Sequence, residues 1–126
     1  MCLLRNLEGL SLDSNELHGE LPSCLANLRK LDVLELQSNM LTGTLDALFQ
    51  LDGMTVTPTY AQLRLDNNDF SGTIPEAIQY LNDLTVLTLH GNPQLTGSLN
   101  ALCDGRAMME ITADCANVDC SCCTCY

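Results

Sequence analysis

The chain has 126 residues, of which 46% are hydrophobic and 17% are charged. This length and composition predict one soluble domain with a leucine-rich core. Its formal net charge is −11, and the five basic residues do not cluster beyond Arg29-Lys30. Because phosphate binding depends on neutralisation by Lys and Arg, nucleic acids and anionic membrane surfaces are not expected partners. No apolar run approaches the roughly 18 residues that a membrane-spanning helix requires.

One repeated pattern organises the chain from its first residues. Its first copy reads Leu7-Glu8-Gly9-Leu10-Ser11-Leu12-Asp13-Ser14-Asn15-Glu16-Leu17, and further copies begin near Leu31, Tyr60 and Leu84. Equivalent leucines are 24 residues apart between the first and second copies, 29 between the second and third, and 24 between the third and fourth. Periods of about 20–29 residues are typical of solenoids in which each repeat forms one coil.

Each copy has the features of one coil. Leucines alternate with polar residues, as in Leu10-Ser11-Leu12, which predicts a short strand with one buried face. Asparagine recurs at a fixed offset after each strand, where its side chain can bond the backbone of its own and the adjacent turn. Glycine recurs four residues later, or five in the fourth copy, and indicates a conformationally demanding position. A single coil cannot bury its leucines, so we expect the coils to stack. The recurrent residues are Asn15, Asn39, Asn68 and Asn92, with Gly19, Gly43, Gly72 and Gly97.

Two copies carry a further motif, Leu17-His18-Gly19-Glu20-Leu21-Pro22 and Phe70-Ser71-Gly72-Thr73-Ile74-Pro75. Over residues 3–112 the chain therefore resembles the plant-type leucine-rich repeat family, whose repeats carry this LxGxIP extension. The other two copies depart from it, with Asp46 and Asn100 where the family has proline. The resemblance implies an α/β fold, a right-handed leucine-rich repeat solenoid. Its concave face would carry a short parallel sheet, and its convex side would be irregular or 3-10 helical.

We predict two regions. Residues 1–102 form a solenoid of four repeats without an N-terminal cap, and residues 103–126 form a cysteine-rich C-terminal cap that includes a degenerate fifth repeat with Met109 and Ile111. Since residues 3–7 match the tail of a preceding repeat, we expect a piece of a longer array, a mature form cut from a precursor, or an end covered by a partner. A minimal solenoid is the alternative. An uncapped end exposes leucines and a strand edge, and is a candidate site of self-association.

The cysteines concentrate where the repeat ends, at Cys103, Cys115, Cys120, Cys122, Cys123 and Cys125. Their even number and density favour a disulfide-stapled cap, and the cap resembles the cysteine-rich ends of algal and some plant extracellular leucine-rich repeat proteins. The alternative is a tetrathiolate zinc site, since two C-x-x-C spacings are present, although they interleave. Cys2 and Cys24 lie about one coil apart, and we predict that they bridge adjacent coils. We predict neither a resident metal nor a cofactor.

The residues between the strand leucines point away from the core, and parallel stacking aligns them into columns across the concave sheet. The residues of these columns, apart from Gly9 and Thr112, are the candidate ligand-binding residues. Arg64, Val86, Met108 and His90 are expected to contribute most, because Arg and apolar groups dominate many interfaces. A solvated sheet face is the alternative interpretation. The predicted columns are Gly9, Val33, Gln62, Val86 and Met108; Ser11, Glu35, Arg64, Thr88 and Glu110; and Asp13, Gln37, Asp66, His90 and Thr112.

The sequence gives no support for catalysis. His18 and His90 lie near no nucleophile motif, and neither a phosphate-binding glycine loop nor H-E-x-x-H is present. We predict that both histidines are solvated surface residues and that the chain is not an enzyme.

We therefore predict a non-catalytic module that binds a protein or peptide on its concave face. The family resemblance implies part of a receptor-like ectodomain or an enzyme inhibitor. The disulfides and the resemblance predict an extracellular or cell-surface location, although the first residues lack the features of a signal peptide. The alternatives are a structural or surface-coating extracellular protein and, third, a metal binder that uses the cysteine tail.

Overall fold

The computed structural model describes residues 3–51, 54–55 and 59–126. Within these residues the strands are β1 (Gly9–Ser11), β2 (His18–Glu20), β3 (Val33–Glu35), β4 (Met40–Gly43), β5 (Gln50–Leu51), β6 (Met54–Thr55), β7 (Gln62–Arg64), β8 (Asp69–Thr73), β9 (Val86–Thr88), β10 (Gln94–Ser98), β11 (Glu110–Ala113), β12 (Val118–Asp119) and β13 (Thr124–Cys125). Short 3-10 helices span Ser23–Asn27, Asp46–Leu48, Glu76–Tyr80 and Asn100–Leu102.

Each coil contributes one strand to a parallel sheet with the order β1-β3-β7-β9-β11-β13. The central apolar residues of neighbouring strands pair directly: Leu10 with Leu34, Leu34 with Leu63, Leu63 with Leu87, and Leu87 with Ile111. This register stacks the inward-facing side chains of successive coils and builds the leucine core. The predicted solenoid with a concave parallel sheet and 3-10 helices opposite it is confirmed.

A second parallel sheet, which the sequence analysis did not predict, runs β2-β4-β8-β10-β12 along the side of the solenoid. It is built by the L-x-G-x extension of each repeat. The glycine of one coil pairs with the apolar residue of the next, as Gly43 does with Phe70. At Gly43 φ is +83°, and an added Cβ would lie 2.8 Å from Cγ of Glu20. The predicted conformational demand is therefore confirmed, and its cause is a left-handed backbone in a crowded position.

Stacked asparagine side chains join the turns that follow the concave strands. The Nδ2 group of Asn39 donates to Leu12 O of the preceding coil at 2.9 Å and to Leu36 O of its own coil at 3.0 Å. Its Oδ1 accepts the N–H of Leu17 at 3.0 Å. Asn68 and Asn92 repeat these bonds one and two coils further on. The predicted ladder of asparagines is confirmed.

The two ends of the leucine core differ. At the first coil, Leu10 and Leu12 are only half-buried and Leu17 is exposed. Together with Leu21 and Leu25 they line a cleft of about 210 Å³. At the other end, Val118 and Ala113 are buried.

Disulfides close the C-terminal end, as predicted. They join Cys103 to Cys122, Cys115 to Cys125 and Cys120 to Cys123. Cys24 is also disulfide-bonded. Its predicted partner, Cys2, lies outside the described residues, so that pairing stays a prediction. The division of the chain after residue 102 also stays a prediction.

Tyr60 ties the start of the third coil to the second coil. Its ring is 1% exposed and meets Phe49 edge to face, with ring centroids 6.3 Å apart. Its hydroxyl donates to Leu48 O at 3.1 Å. Burial raises the pKa of the phenol well above its usual value of about 10.

We expect Tyr60→Phe to lower the free energy of unfolding by about 1 kcal/mol at neutral pH, because the buried Leu48 carbonyl loses its donor. Since the raised pKa keeps Tyr60 protonated in the fold while the unfolded chain ionises, Tyr60 also makes the wild type lose stability as the pH rises above about 10. Tyr60→Phe has no phenol to ionise, so this part of the alkaline loss of stability should be absent from the variant. Urea unfolding at neutral and alkaline pH measures both effects, and identical alkaline losses in the two proteins would contradict the assignment.

Candidate ligand-binding face

Strand register sets the columns of outward-facing residues on the concave sheet. Val33 pairs with Gln62 and Gln62 with Val86, while Glu35 pairs with Arg64 and Arg64 with Thr88. Gly9 and Ser11 begin these two columns. Over the first four coils the alignment therefore agrees with the sequence prediction.

The predicted alignment of the fifth coil is wrong by two residues. Val86 pairs with Glu110 rather than with Met108, and Thr88 pairs with Thr112 rather than with Glu110. Ile111 and Ala113 fill the inward positions, whereas Met109, which resembled the first leucine of a repeat, is 82% exposed. Ala113 stands where the fourth coil has Leu89, so the leucine pattern did not show the register of the fifth coil. Met108 accordingly precedes the strand, and Asp114, rather than Thr112, follows it at the level of His90.

Arg64 spans a large part of the face. Its Nη2 lies 3.0 Å from Oε2 of Glu110, and its Nε lies 3.9 Å from Oε1 of Glu35. Because β9 lies between β7 and β11, the Arg64 side chain crosses β9 to reach Glu110. The outward residues of β9 are buried, with Val86 5% and Thr88 1% exposed. Both were predicted to contact a ligand, yet they offer it little surface.

His90 is enclosed by the C-terminal tail. Its ring stacks on that of Tyr126 with centroids 3.8 Å apart, and its Nδ1 lies 2.7 Å from Oγ1 of Thr112. Its Nε2 lies 3.6 Å from Oδ2 of Asp66, and the side chain is 17% exposed. The prediction that His90 is a solvated surface residue is therefore wrong, whereas His18 is exposed as predicted. Tyr126 reaches His90 because β13 joins the sheet beside β11.

The first three coils leave an open concave face. We give this name to the exposed or half-buried outward residues Ser11, Asp13, Val33, Glu35, Gln37, Gln62 and Asp66. Asp13, Glu35 and Asp66 give it a negative charge, and Arg64 beside it is already paired with carboxylates. The Oε1 atom of Gln37 is buried and has no hydrogen-bond partner among the described residues. The open concave face therefore carries three acceptor-only carboxylates, while Ser11, Gln37 and Gln62 contribute groups that can also donate.

None of the helices in residues 3–51, 54–55 and 59–126 has the length and apolar character needed to cross a membrane.

The Leucine Rich Repeat family model matches residues 6–28 and 62–81. Receptor-like protein 32 of Arabidopsis thaliana is 34% identical over 93 residues, which cover 74% of this chain and 11% of that protein. The chain thus spans about a tenth of the length of the curated relatives it matches.

Solved structures show the same similarity. The structure of PEPR1–AtPEP1 superimposes with a TM-score of 0.75 at 32% identity, over 94% of this chain and 16% of that one. The leucine-rich repeat ectodomain of the A. thaliana membrane receptor kinase GASSHO1/SCHENGEN3, in complex with CASPARIAN STRIP INTEGRITY FACTOR 2, gives a TM-score of 0.67 at 28% identity, over 88% and 13%.

Coils stacked through leucines and asparagines, with a second sheet along the side, define a plant-type leucine-rich repeat solenoid. The chain carries leucine-rich repeats and is similar to plant receptor-like proteins. A disulfide-linked, cysteine-rich cap closes its C-terminal end.

Proposed function

We propose that the chain is a non-catalytic module that binds a protein or peptide on the open concave face. The observation that carries this proposal is the exposure of that face: its outward residues on the first three coils stay exposed or half-buried, whereas Val86 and Thr88 on β9 are buried. Asp13 and Asp66 flank Gln37 in the third column, so this part of the face favours a ligand that carries hydrogen-bond donors or positive charge.

The negative charge of the open concave face favours one kind of ligand. Its carboxylates and the net charge of −11 attract cationic groups and repel anionic ones. The expected ligand is a segment of protein or peptide that carries lysine or arginine, lies across β1, β3 and β7, and donates hydrogen bonds. The same charge argues against nucleic acid.

An extracellular or cell-surface location fits this proposal. Disulfides persist mainly in oxidising compartments, and the relatives are receptor-like proteins and a receptor-kinase ectodomain. That ectodomain is in complex with CASPARIAN STRIP INTEGRITY FACTOR 2, which supports a protein or peptide as the class of ligand. We extend only that class to this chain.

Selection of displayed random peptides on the immobilised chain tests the proposal. We expect the bound peptides to be enriched in lysine and arginine. In calorimetric titrations, Asp13→Lys should weaken binding at least about tenfold, because it places a cation beside the ligand's own positive charge. In the described part of the chain the Asp13 carboxylate accepts one side-chain hydrogen bond, from Ser14 Oγ at 3.2 Å, so its replacement breaks few polar interactions.

Glu76→Lys is the matched control. Glu76 is exposed at the start of the convex helix Glu76–Tyr80, so this variant has the same change in net charge far from the open concave face. It should bind the selected peptides nearly as the wild type does. Equal weakening by the two variants, or a selected set without cationic enrichment, contradicts the proposal.

A further inference from the structure

The cap contains a cluster of sulfur atoms. The Sγ atoms of Cys103, Cys120 and Cys122 all lie within 4.8 Å of one another. They belong to two different disulfides, Cys103–Cys122 and Cys120–Cys123, and the non-bonded pair Cys103 Sγ and Cys120 Sγ is 4.0 Å apart. In tetrahedral zinc thiolate sites the Zn–S distance of about 2.3 Å places the sulfurs about 3.8 Å apart. The non-bonded sulfurs therefore already have nearly the separation that zinc requires.

We propose that reduction of these two disulfides converts the cap into a zinc site, with Cys103, Cys120, Cys122 and Cys123 as ligands. In the disulfide state these sulfurs cannot bind zinc as thiolates, which are the form that coordinates the metal. The site thus exists only when the cap is reduced, and oxidation releases the metal.

A dithiol can serve as the reductant for this step. Its thiolate attacks one sulfur of a cap disulfide, and the mixed disulfide is resolved by the second thiol, so that each cap disulfide gains two electrons and two protons while the reductant becomes a disulfide. The four cysteine thiols then lose four protons as they bind one Zn²⁺. Cys122 is exposed, and it gives the reductant access to the Cys103–Cys122 bond.

Non-covalent contacts keep the ligands near one another once the disulfides open. The N–H of Ser121 donates to Oδ1 of Asn100 at 2.8 Å, and Nδ2 of Asn100 donates to Oδ2 of Asp119 at 2.9 Å. These bonds hold the segment that carries Cys120 and Cys122 against the helix that precedes Cys103. Pairing of β12 with β10 adds a second anchor. The reduced cap therefore retains part of the geometry that brings the sulfurs together.

Metal titration of the full 126-residue chain tests this inference. After reduction with a phosphine, which does not compete for zinc as a dithiol does, Co²⁺ should produce the thiolate charge-transfer bands and the visible bands of a tetrahedral site. The signal should saturate at one ion per chain, and Zn²⁺ should displace the Co²⁺. The oxidised chain should give no such bands. Circular dichroism of the reduced chain without metal, recorded in parallel, reports whether the solenoid persists.

The third disulfide of the cap, Cys115–Cys125, provides a matched control. Cys103→Ser combined with Cys122→Ser should eliminate the tetrahedral spectrum. Cys115→Ser combined with Cys125→Ser removes the same number of thiols outside the cluster and should retain it. A reduced wild type that binds no Co²⁺, or two double variants that bind it equally well, overturns the inference. This result is independent of peptide binding, which the oxidised chain performs.

Discussion

Replacement of Asn68 by alanine is expected to lower the free energy of unfolding by about 3 kcal/mol, since each buried polar group that loses its partner costs about 1–3 kcal/mol. Asn68 is 5% exposed. Its Nδ2 donates to Leu36 O at 3.0 Å, to Leu65 O at 3.3 Å and to Asp66 O at 3.4 Å, and its Oδ1 accepts the N–H of Leu41 at 3.0 Å. Alanine removes all four bonds and leaves the buried backbone groups of two coils without these partners.

Asn15→Ala is the matched control, because Asn15 occupies the same position in the first coil but is exposed. Among the described residues, its Nδ2 bonds to carbonyls of its own coil alone, Leu12 O and Asp13 O, each at 3.0 Å. Its loss should cost no more than about 1 kcal/mol. Urea unfolding with the disulfides intact measures both variants. Equal losses would show that bonds between coils contribute nothing beyond those of the turn itself.

Gly91→Ala is expected to cost about 2–4 kcal/mol, combining a left-handed backbone with overpacking. Gly91 has φ +73°. An added Cβ would lie 2.3 Å from Oδ1 of Asn67 and 3.1 Å from its Cα, so rotation of the Asn67 side chain cannot relieve the whole clash. Displacement of Asn67 would also disturb the neighbouring Asn68 in the asparagine ladder.

Gly105→Ala separates the cost of the left-handed backbone from the cost of overpacking. Gly105 has φ +74°, but an added Cβ would meet no described atom within 4 Å. Only the backbone term remains, about 1–2 kcal/mol. The difference between the two variants in thermal or urea unfolding therefore measures the clash with the adjacent coil. Similar losses for both would mean that successive coils are not packed closely at Gly91.

The repeating part of the fold was predictable because each coil places the same residue at the same offset. The strand leucines and the ladder asparagines, such as Leu34 and Asn39, have the same environment in each interior coil, so their chemistry can be read from one copy and checked in the next. The second sheet was not predicted, although the L-x-G-x extension that forms its strands is present in the sequence. We used that extension as a family motif and predicted no strands from it.

The candidate site was less predictable, because it depends on contacts that do not repeat. The Arg64 side chain covers β9 because it pairs with Glu110, which lies two strands away. The position of Glu110 in the sheet follows from the register of the fifth coil, which the sequence did not reveal because Ala113 stands where other coils have a leucine. Tyr126 reaches His90 only because the tail adds a strand to the sheet. Both contacts join residues far apart in sequence and leave no periodic signal.

Amide shift mapping by NMR would locate the bound peptide on the solenoid. The ¹⁵N-labelled oxidised chain would be titrated with a cationic peptide selected on the wild type. We predict that the largest perturbations fall on the open concave face, at Ser11, Asp13, Val33, Glu35 and Gln37, with little change in the lateral strands β4, β8 and β10. Perturbations concentrated on those lateral strands or on the convex helices would contradict it.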